Sequence, residues 1–409
     1  MTRRRRARNV SRIGWAVAVA GAAWAFGWRA ATDSLAGSLY GVTTLALVAM
    51  LILAALPSRA RTRSIVPGRV VAIVPTYNED PAALQATITA LLASTVPLAE
   101  IHVVDDGSMP PAAPHAQVRW HRHPNAGKRH AQTVVLAELA AARDAGAPRA
   151  DYILTVDSDS VIGPDAVGHL LQAMSDPGVQ AATGLIMVRN LSGLIAAITD
   201  LEMQVACLTM RAARSRLGVV APCSGALSLY RADLVLDNLA DYVASGTAGD
   251  DRRLTHYALQ RGKAVAVNAA VVHTDMPTTL RGVWRQRVRW YRSYWLYALW
   301  EVRHLPPLPA AWRIYSLTLA AVTPLALAAA FLLAPLTTGQ PAWQGLIYWT
   351  GWMYIMAAHY LGRPGLPLRR RIAIWLAGTP LMVAAQLLVI RPAMWQALAQ
   401  ARDRAWSTR

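Results

Sequence analysis

Apolar positions along this chain gather in two kinds of run. Toward the ends they form long stretches almost free of charge: Ile13–Ala31 and Leu35–Leu56, then Tyr315–Leu336, Leu346–Leu361 and Ile372–Ile390. A membrane-spanning helix needs about 20 predominantly apolar residues. Four of the runs meet that length, and Leu346–Leu361 meets it with its flanking residues. Buried core helices would have a similar composition, but they would not crowd into both ends and leave a polar middle. In the middle the apolar runs are short. "RVVAIVPTYNED" (Arg69–Asp80), "EIHVVDDGS" (Glu100–Ser108) and "ADYILTVDSDS" (Ala150–Ser160) each predict a buried strand that runs into a polar loop. Helical patterns lie between and after them, at Pro81–Ser94, His130–Ala145 and Pro164–Met174. Strands alternating with helices predict an α/β domain with a largely parallel sheet. Such sheets bind ligands at the carboxyl ends of their strands, where the acidic clusters stand. Asn190–Leu217 has apolar residues at helical spacing, and Arg281–His304 is crowded with Arg, Trp and Tyr; both predict amphipathic helices at a membrane surface.

Composition strengthens the membrane reading. Hydrophobic residues make up 54% of the 409 residues and charged ones 16%, a balance unlike that of ordinary soluble domains. Formal charge is +18, much of it in arginines beside the apolar runs, where anionic lipid attracts them. An anionic substrate is the second explanation, and nucleic acid a poor third, because no recognition motif appears. "MTRRRRARNVSR" ahead of the first run, Arg59, Arg61 and Arg63 after the second, and Arg363 and Arg369–Arg371 after the fourth predict cytoplasmic loops by the positive-inside rule. The middle region is then cytoplasmic too. The last run, bracketed by Pro380 and Pro392, either spans or re-enters. Cys207 and Cys223 are expected to be reduced thiols, with no disulfide and no zinc. No internal repeat or low-complexity linker is present.

The candidate chemistry lies at the predicted strand ends. In "VDSDS", an extended backbone would put Asp157 and Asp159 on one face, where a hard cation such as Mg²⁺ or Mn²⁺, shared with a diphosphate, would relieve their repulsion. A solvated turn explains the same residues equally well. In "VVDDGS", Asp105 and Asp106 suit a turn or hydrogen bonds to a base or ribose, and Tyr77 ends the neighbouring strand. Lys128 and Arg129 in "NAGKRHAQ" start a helix whose dipole they oppose, unless an anion sits there. "TAGDDRRLTHYALQRG" places Asp250 and Asp251 in the first turn of another helix. Capping accounts for one carboxylate, and a base that takes a proton from a sugar hydroxyl accounts for the other. Within Arg281–His304, Trp290 offers a face to a sugar ring and Arg289 a fork for phosphate.

Taken together, "VDDGS", "NAGKRHAQ", "VDSD", "CSGALSLYR", "GDDRRLT", "QRVRW" and the terminal "WSTR" resemble, in order, a processive, membrane-embedded family 2 glycosyltransferase of GT-A fold. Within it the likeness is to bacterial (class I) hyaluronan synthases, which "HTDMP" also supports. The wording of "TGLIMVRN" departs from theirs. The resemblance implies a GT-A catalytic domain inserted between N-terminal and C-terminal transmembrane helices. It divides the chain into 1–57 (basic segment and two spans), 58–275 (cytoplasmic transferase domain), 276–308 (interface helix with Gln-x-x-Arg-Trp) and 309–409 (C-terminal spans and tail). It implies Asp251 as general base and Asp157 and Asp159 as ligands of Mg²⁺ or Mn²⁺. Tyr77, Asp105, Asp106, Lys128, Asp157 and Arg289 would contact UDP. Cys223, Ser224, Gly225, Asp250, Gln286 and Trp290 would lie toward the acceptor.

The activity so implied is inverting transfer from UDP-GlcNAc and UDP-GlcA to a growing polysaccharide. The polymer would be extruded across the plasma membrane by a multi-pass enzyme with lipid around it and no nucleic-acid partner. Chitin or chitin-oligosaccharide synthesis from UDP-GlcNAc alone is the nearest rival, although such enzymes usually carry Glu-Asp where this chain has Asp250-Asp251. A transferase making a lipid-linked sugar, or a non-catalytic transporter or scaffold, would have less use for these ordered motifs.

Overall fold

A computed structural model describes residues 14–25, 47–56, 64–246, 249–341 and 343–401. The expectations placed on "MTRRRRARNVSR", on Arg59, Arg61 and Arg63, on "WSTR" and on residues 13, 26–31 and 35–46 of the first two apolar runs lie outside these residues. The chain divides into two units, one built around a sheet and one helical.

The sheet unit comprises Ser58–Leu191, Gly218–Tyr297 and Ala393–Arg409. Its eight strands are β1 (Val70–Thr76), β2 (Glu100–Asp105), β3 (Arg119–Arg122), β4 (Tyr152–Thr155), β5 (Val161–Ile162), β6 (Val179–Val188), β7 (Ser228–Arg231) and β8 (Lys263–Thr274). They lie in the order β3-β2-β1-β4-β7-β6-β8-β5. The first four strands in that order are mutually parallel, β7 runs against both its neighbours, and β6 and β8 are parallel again. The sequence VVAIV in β1 is 0% exposed at every position, as a parallel strand covered on both faces requires. Register places Asp105 at the end of β2 opposite Thr76 at the end of β1. Asp105 and Asp106 therefore stand at the carboxyl end of β2, as the pattern of the sequence predicts, and Asp157 and Asp159 follow the end of β4.

The helices follow the predicted ones within a few residues. Pro81–Leu92 starts with proline, and the Asp80 carboxylate accepts from the Ala82 N–H at 3.0 Å, a standard N-cap. Lys128–Asp144, Ala166–Met174 and Asp250–Arg261 cover the sheet. Gly262 follows the last of these because a Cβ there would meet the Gly178 carbonyl oxygen at 2.5 Å. The helix Leu280–Leu296 carries the Gln-x-x-Arg-Trp motif and packs Val288 against Ala393 and Ala397.

The helical unit comprises Met1–Pro57, Ser192–Leu217 and Ala298–Pro392. Its core gathers Val17, Leu51, Leu201, Trp352, Met356 and Tyr360. The amphipathic stretch Asn190–Leu217 is helical from Leu194, with a π-helical insert at Ala206–Arg211. Among the described residues two helices are long and apolar enough to cross a membrane, Pro307–Thr338 and Leu368–Ala399, each of 32 residues, with mean hydropathy 2.2 and 1.9. The predicted span Leu346–Leu361 differs. It is a 15-residue helix, Trp343–Ala357, followed by a 3₁₀ turn at Ala358–Gly362, shorter than the bilayer core demands. Pro380 does not break its helix.

Candidate active site

The site begins where β2 ends. Asp105 is wholly buried and accepts from the Ser108 N–H at 2.9 Å and the Ala112 N–H at 3.3 Å. Asp106, 2% exposed, accepts from the N–H groups of Ala126 and Gly127, both at 2.9 Å, and from the Asn125 amide at 3.1 Å. Both carboxylates thus shape their own loops, and Asp106 fastens the turn that launches the Lys128 helix. Gly107 takes φ +79°, and a Cβ there would also meet the Asn125 nitrogen at 2.6 Å, so glycine is required on both counts. Tyr77 is half-buried beyond β1.

Lys128 is the first residue of its helix and the electrostatic centre of the site. Its Nζ lies 2.6 Å from Asp157 Oδ1 and 2.9 Å from Asp250 Oδ2. Sequence reasoning assigned this cation to a phosphate, whereas here two carboxylates take that place. Burial works against its charge, and the Asp157 and Asp250 carboxylates outweigh burial, holding the ammonium well above its ordinary pKa. Gly225 completes the enclosure. A Cβ on it would come within 2.8 Å of Lys128 Nζ and 3.0 Å of Asp157 Oδ1, so only glycine leaves room for the bridge.

Asp250 and Asp251 open their helix after Gly249, which adopts a left-handed φ of 69°. Asp250 is buried, and although burial works to raise its pKa, Lys128 holds the carboxyl below its usual value. Asp251 is only partly covered and accepts from the Arg252 N–H at 2.7 Å. Burial, then the neighbouring Asp250 charge, push its carboxyl up to about 6. Two adjacent carboxylates are thereby separated in acidity, the usual arrangement for an acid–base pair. Two arginines, Arg252 and Arg253, follow them directly. Arg253 pairs with Asp241 at 2.5 Å, and Arg252 reaches Ser293 at 3.4 Å.

Asp157 and Asp159 do not share a strand face. β4 ends at Thr155, and both residues lie in the turn beyond it. The Asp157 side chain is 36% exposed and joins the Lys128 cluster. Asp159 is 4% exposed and accepts from Thr274 at 3.0 Å and from Ser160 at 3.3 Å. Cys223 is fully buried with its N–H donated to Thr255, and Ser224 donates its N–H to Thr183. Gln286 reaches the Met276 sulfur at 3.5 Å, and Arg289 is half-buried. Trp290 is 39% exposed, with the Arg287 guanidinium 4.4 Å from its ring centre. This helix adjoins the start of the Asp250 helix, where a Cβ on Gly249 would meet Ser293 Cβ at 2.5 Å.

Two groups escaped sequence reasoning. Gln132 links Tyr242, at 2.5 Å, to Asp250, at 3.5 Å. Its only signal was its position one helical turn after Lys128. Arg189 forks onto Asp275 at 3.0 and 2.5 Å, and Asn190 exchanges two hydrogen bonds with the Met276 backbone. "VRN" and "HTDMP" thus lock together, which no spacing in the sequence announced.

Residues 67–293 match the family described as "Glycosyltransferase like family 2". The chain is 35% identical to a hyaluronan synthase of Streptococcus pyogenes over 274 residues, 61% of this chain and 63% of that protein, so the match spans less than two thirds of the synthase. It is 33% identical to an N-acetylglucosaminyltransferase of Sinorhizobium fredii over 305 residues, 68% of this chain and 71% of the relative. A solved mannosyltransferase from Pyrobaculum calidifontis, in complex with GDP-Man and Mn²⁺, superposes with a TM-score of 0.53 at 16% identity, covering 96% of this chain and 98% of its own. That likeness concerns the fold, a GT-A-like α/β sheet. With the family match running through the strand ends, the Lys128 cluster and the Gln286–Trp290 helix, this chain belongs to glycosyltransferase family 2.

Proposed function

We propose that this protein is a processive, inverting UDP-sugar transferase of the plasma membrane that builds hyaluronan from UDP-GlcNAc and UDP-GlcA. The observation that carries the reading is the bridging of Asp157 and Asp250 by Lys128, with the carboxyl of Asp251 set apart at about 6. Asp251 takes the proton of the acceptor hydroxyl as that oxygen attacks C1 of the donor, on the face opposite UDP. Asp250 stays ionised and keeps Lys128 in place. Lys128, with Tyr77 and Arg289, meets the nucleotide diphosphate, which exchanges for the Asp157 carboxylate at the ammonium while Asp250 stays paired with it. Gln286 and Trp290 hold the acceptor sugar, and Cys223, Ser224 and Gly225 back it.

Oxygen donors on the β4 turn suit a hard cation. Asp157 is exposed enough to exchange its partner, and Gly225 leaves space beside it. Asp157 and Asp159 would hold Mg²⁺ or Mn²⁺, which when bound supplies Lewis-acid stabilisation of the departing diphosphate. Membrane residence rests on Pro307–Thr338 and Leu368–Ala399. On the first of these, Leu325, Leu332, Leu333 and Leu336 are all exposed, as lipid-facing residues would be. The domain limits read from the sequence, with the transferase cytoplasmic and the polymer leaving through the C-terminal helices, belong to the same proposal.

The test uses the purified full chain in detergent with Mg²⁺ or Mn²⁺. Both donors together should give UDP and a polymer that hyaluronan lyase degrades, and either donor alone should give none. A long product from UDP-GlcNAc alone would assign a chitin-type activity instead, the reading that the N-acetylglucosaminyltransferase relative favours. No UDP release from any donor would end the transferase reading.

A further inference from the structure

Asp250 has a second buried partner besides Lys128. Gln132 lies one helical turn after Lys128, on the same face of the helix. Its Nε2 donates to Asp250 Oδ2 at 3.5 Å, the oxygen that Lys128 Nζ meets at 2.9 Å. Its Oε1 accepts from the Tyr242 hydroxyl at 2.5 Å. The three groups are closed off from solvent, with Gln132 1% exposed, Tyr242 0% and Asp250 7%. Tyr242 stands on the short helix Leu239–Ala244, and Arg129 holds it there. The Arg129 guanidinium lies 4.9 Å from the centre of the Tyr242 ring and donates to the Tyr242 carbonyl oxygen at 3.4 Å.

Donors and acceptors along this row of groups fit together in one way. An ionised carboxylate only accepts hydrogen bonds, so the amide turns its NH₂ to Asp250 and its oxygen to Tyr242. The phenol is then the donor. Burial, and next the Asp250 charge, hold the Tyr242 phenol well above its ordinary pKa, so the hydroxyl keeps its proton. A reversed amide would set its oxygen against the carboxylate. The Tyr242 hydroxyl therefore decides which way Gln132 points, and Gln132 in turn gives an N–H to the ionised form of Asp250, which favours that form.

We propose that Gln132, oriented by Tyr242, is a positioning residue that keeps Asp250 fixed and ionised while the donor diphosphate draws on Lys128. The inference rests on the roles given above to Lys128 and Asp251. With donor bound, the ammonium is shared between the diphosphate and Asp250, and its hold on the carboxylate weakens. The Gln132 amide, enclosed and tied to Tyr242, stays where it is. Its 3.5 Å contact with Asp250 shortens at that stage, as hydrogen bonds in active sites commonly do once substrate is bound. Asp250 and Asp251 share the first turn of one helix, so fixing the first places the second.

Steady-state UDP release by the purified full chain tests this, with Tyr242→Phe, Gln132→Met and the double variant. Tyr242→Phe removes one oxygen atom, and Gln132→Met keeps the length of the side chain without its amide. Each single variant should lower kcat about tenfold, near the contribution of one hydrogen bond to a charged group, while donor KM stays within about twofold. The double variant should fall no further than Gln132→Met alone, because both changes break the same row. Thermal melts check that each variant is folded, and Tyr242→Phe, the milder change, decides on its own: full kcat there overturns the inference. So would losses that multiply in the double variant, or a donor KM that rises as much as kcat falls. Wild-type protein that releases no UDP, or Asp251→Asn that releases it at the wild-type rate, would remove the underlying reading and this inference with it. Full kcat in Tyr242→Phe beside an impaired Asp251→Asn would remove the inference alone.

Discussion

At the residue scale, the environment of Asp251 matters more than its identity. Its carboxyl is raised to about 6 by burial and by Asp250. A carboxyl whose folded pKa exceeds its unfolded value contributes stability below the unfolded pKa, near 4, and loses it as pH rises through the folded pKa. Asp251→Asn should therefore match the wild type in thermal melts at pH 4 and exceed it above pH 6, by about 1–3 kcal/mol. The same value sets function. Turnover should fall on the acid side with a limb near pH 6, read from a pH–rate profile at saturating donor. Lys128→Ala leaves Asp157 and Asp250 without their cation. It should raise the donor KM and move that limb to higher pH, with a stability loss of about 3 kcal/mol. Lys128, Asp250 and Asp251 were all legible as candidates in the sequence. Their pairing was not, because it joins residues over a hundred positions apart.

At the element scale, turns decide the geometry. The strands were legible because each is a short apolar run stopped by polar residues, and the start of the Asp250–Arg261 helix because acidic residues fill its first turn. The turn after β4 was not legible. Alternation along a strand predicted Asp157 and Asp159 on one face, but β4 stops at Thr155, and the turn sends Asp157 to Lys128 and Asp159 to Thr274. Gly249 shows how tightly the Asp250 helix is set. It combines φ 69° with a Cβ position 2.5 Å from Ser293. Gly249→Ala should cost at least about 1–2 kcal/mol for the left-handed backbone and displace the carboxylates from Lys128. In steady-state UDP-release assays kcat should then fall more than donor KM rises. Unchanged kcat would mean that the contact with Ser293 does not position the helix.

For the whole molecule, composition gave the membrane signal and the family motifs gave the catalytic domain, while the division of the helices was hidden. Ser192–Leu217, which in sequence interrupts the catalytic region, falls in the helical unit. There Asp200, 0% exposed, bonds Arg363 and accepts from the Tyr360 hydroxyl at 2.9 Å, a buried pairing between groups far apart in sequence that no local pattern encodes. Apolar helices with exposed leucines should keep the full chain in the membrane pellet after alkaline carbonate and release it with detergent. Extraction by carbonate alone would contradict the membrane assignment. The central claim is that Asp251 removes the acceptor proton in the Lys128-centred site. UDP release by purified, folded Asp251→Asn, with both donors present, tests it most directly. The expected result is a fall in kcat of at least about 100-fold with donor KM little changed; turnover equal to the wild type would contradict it.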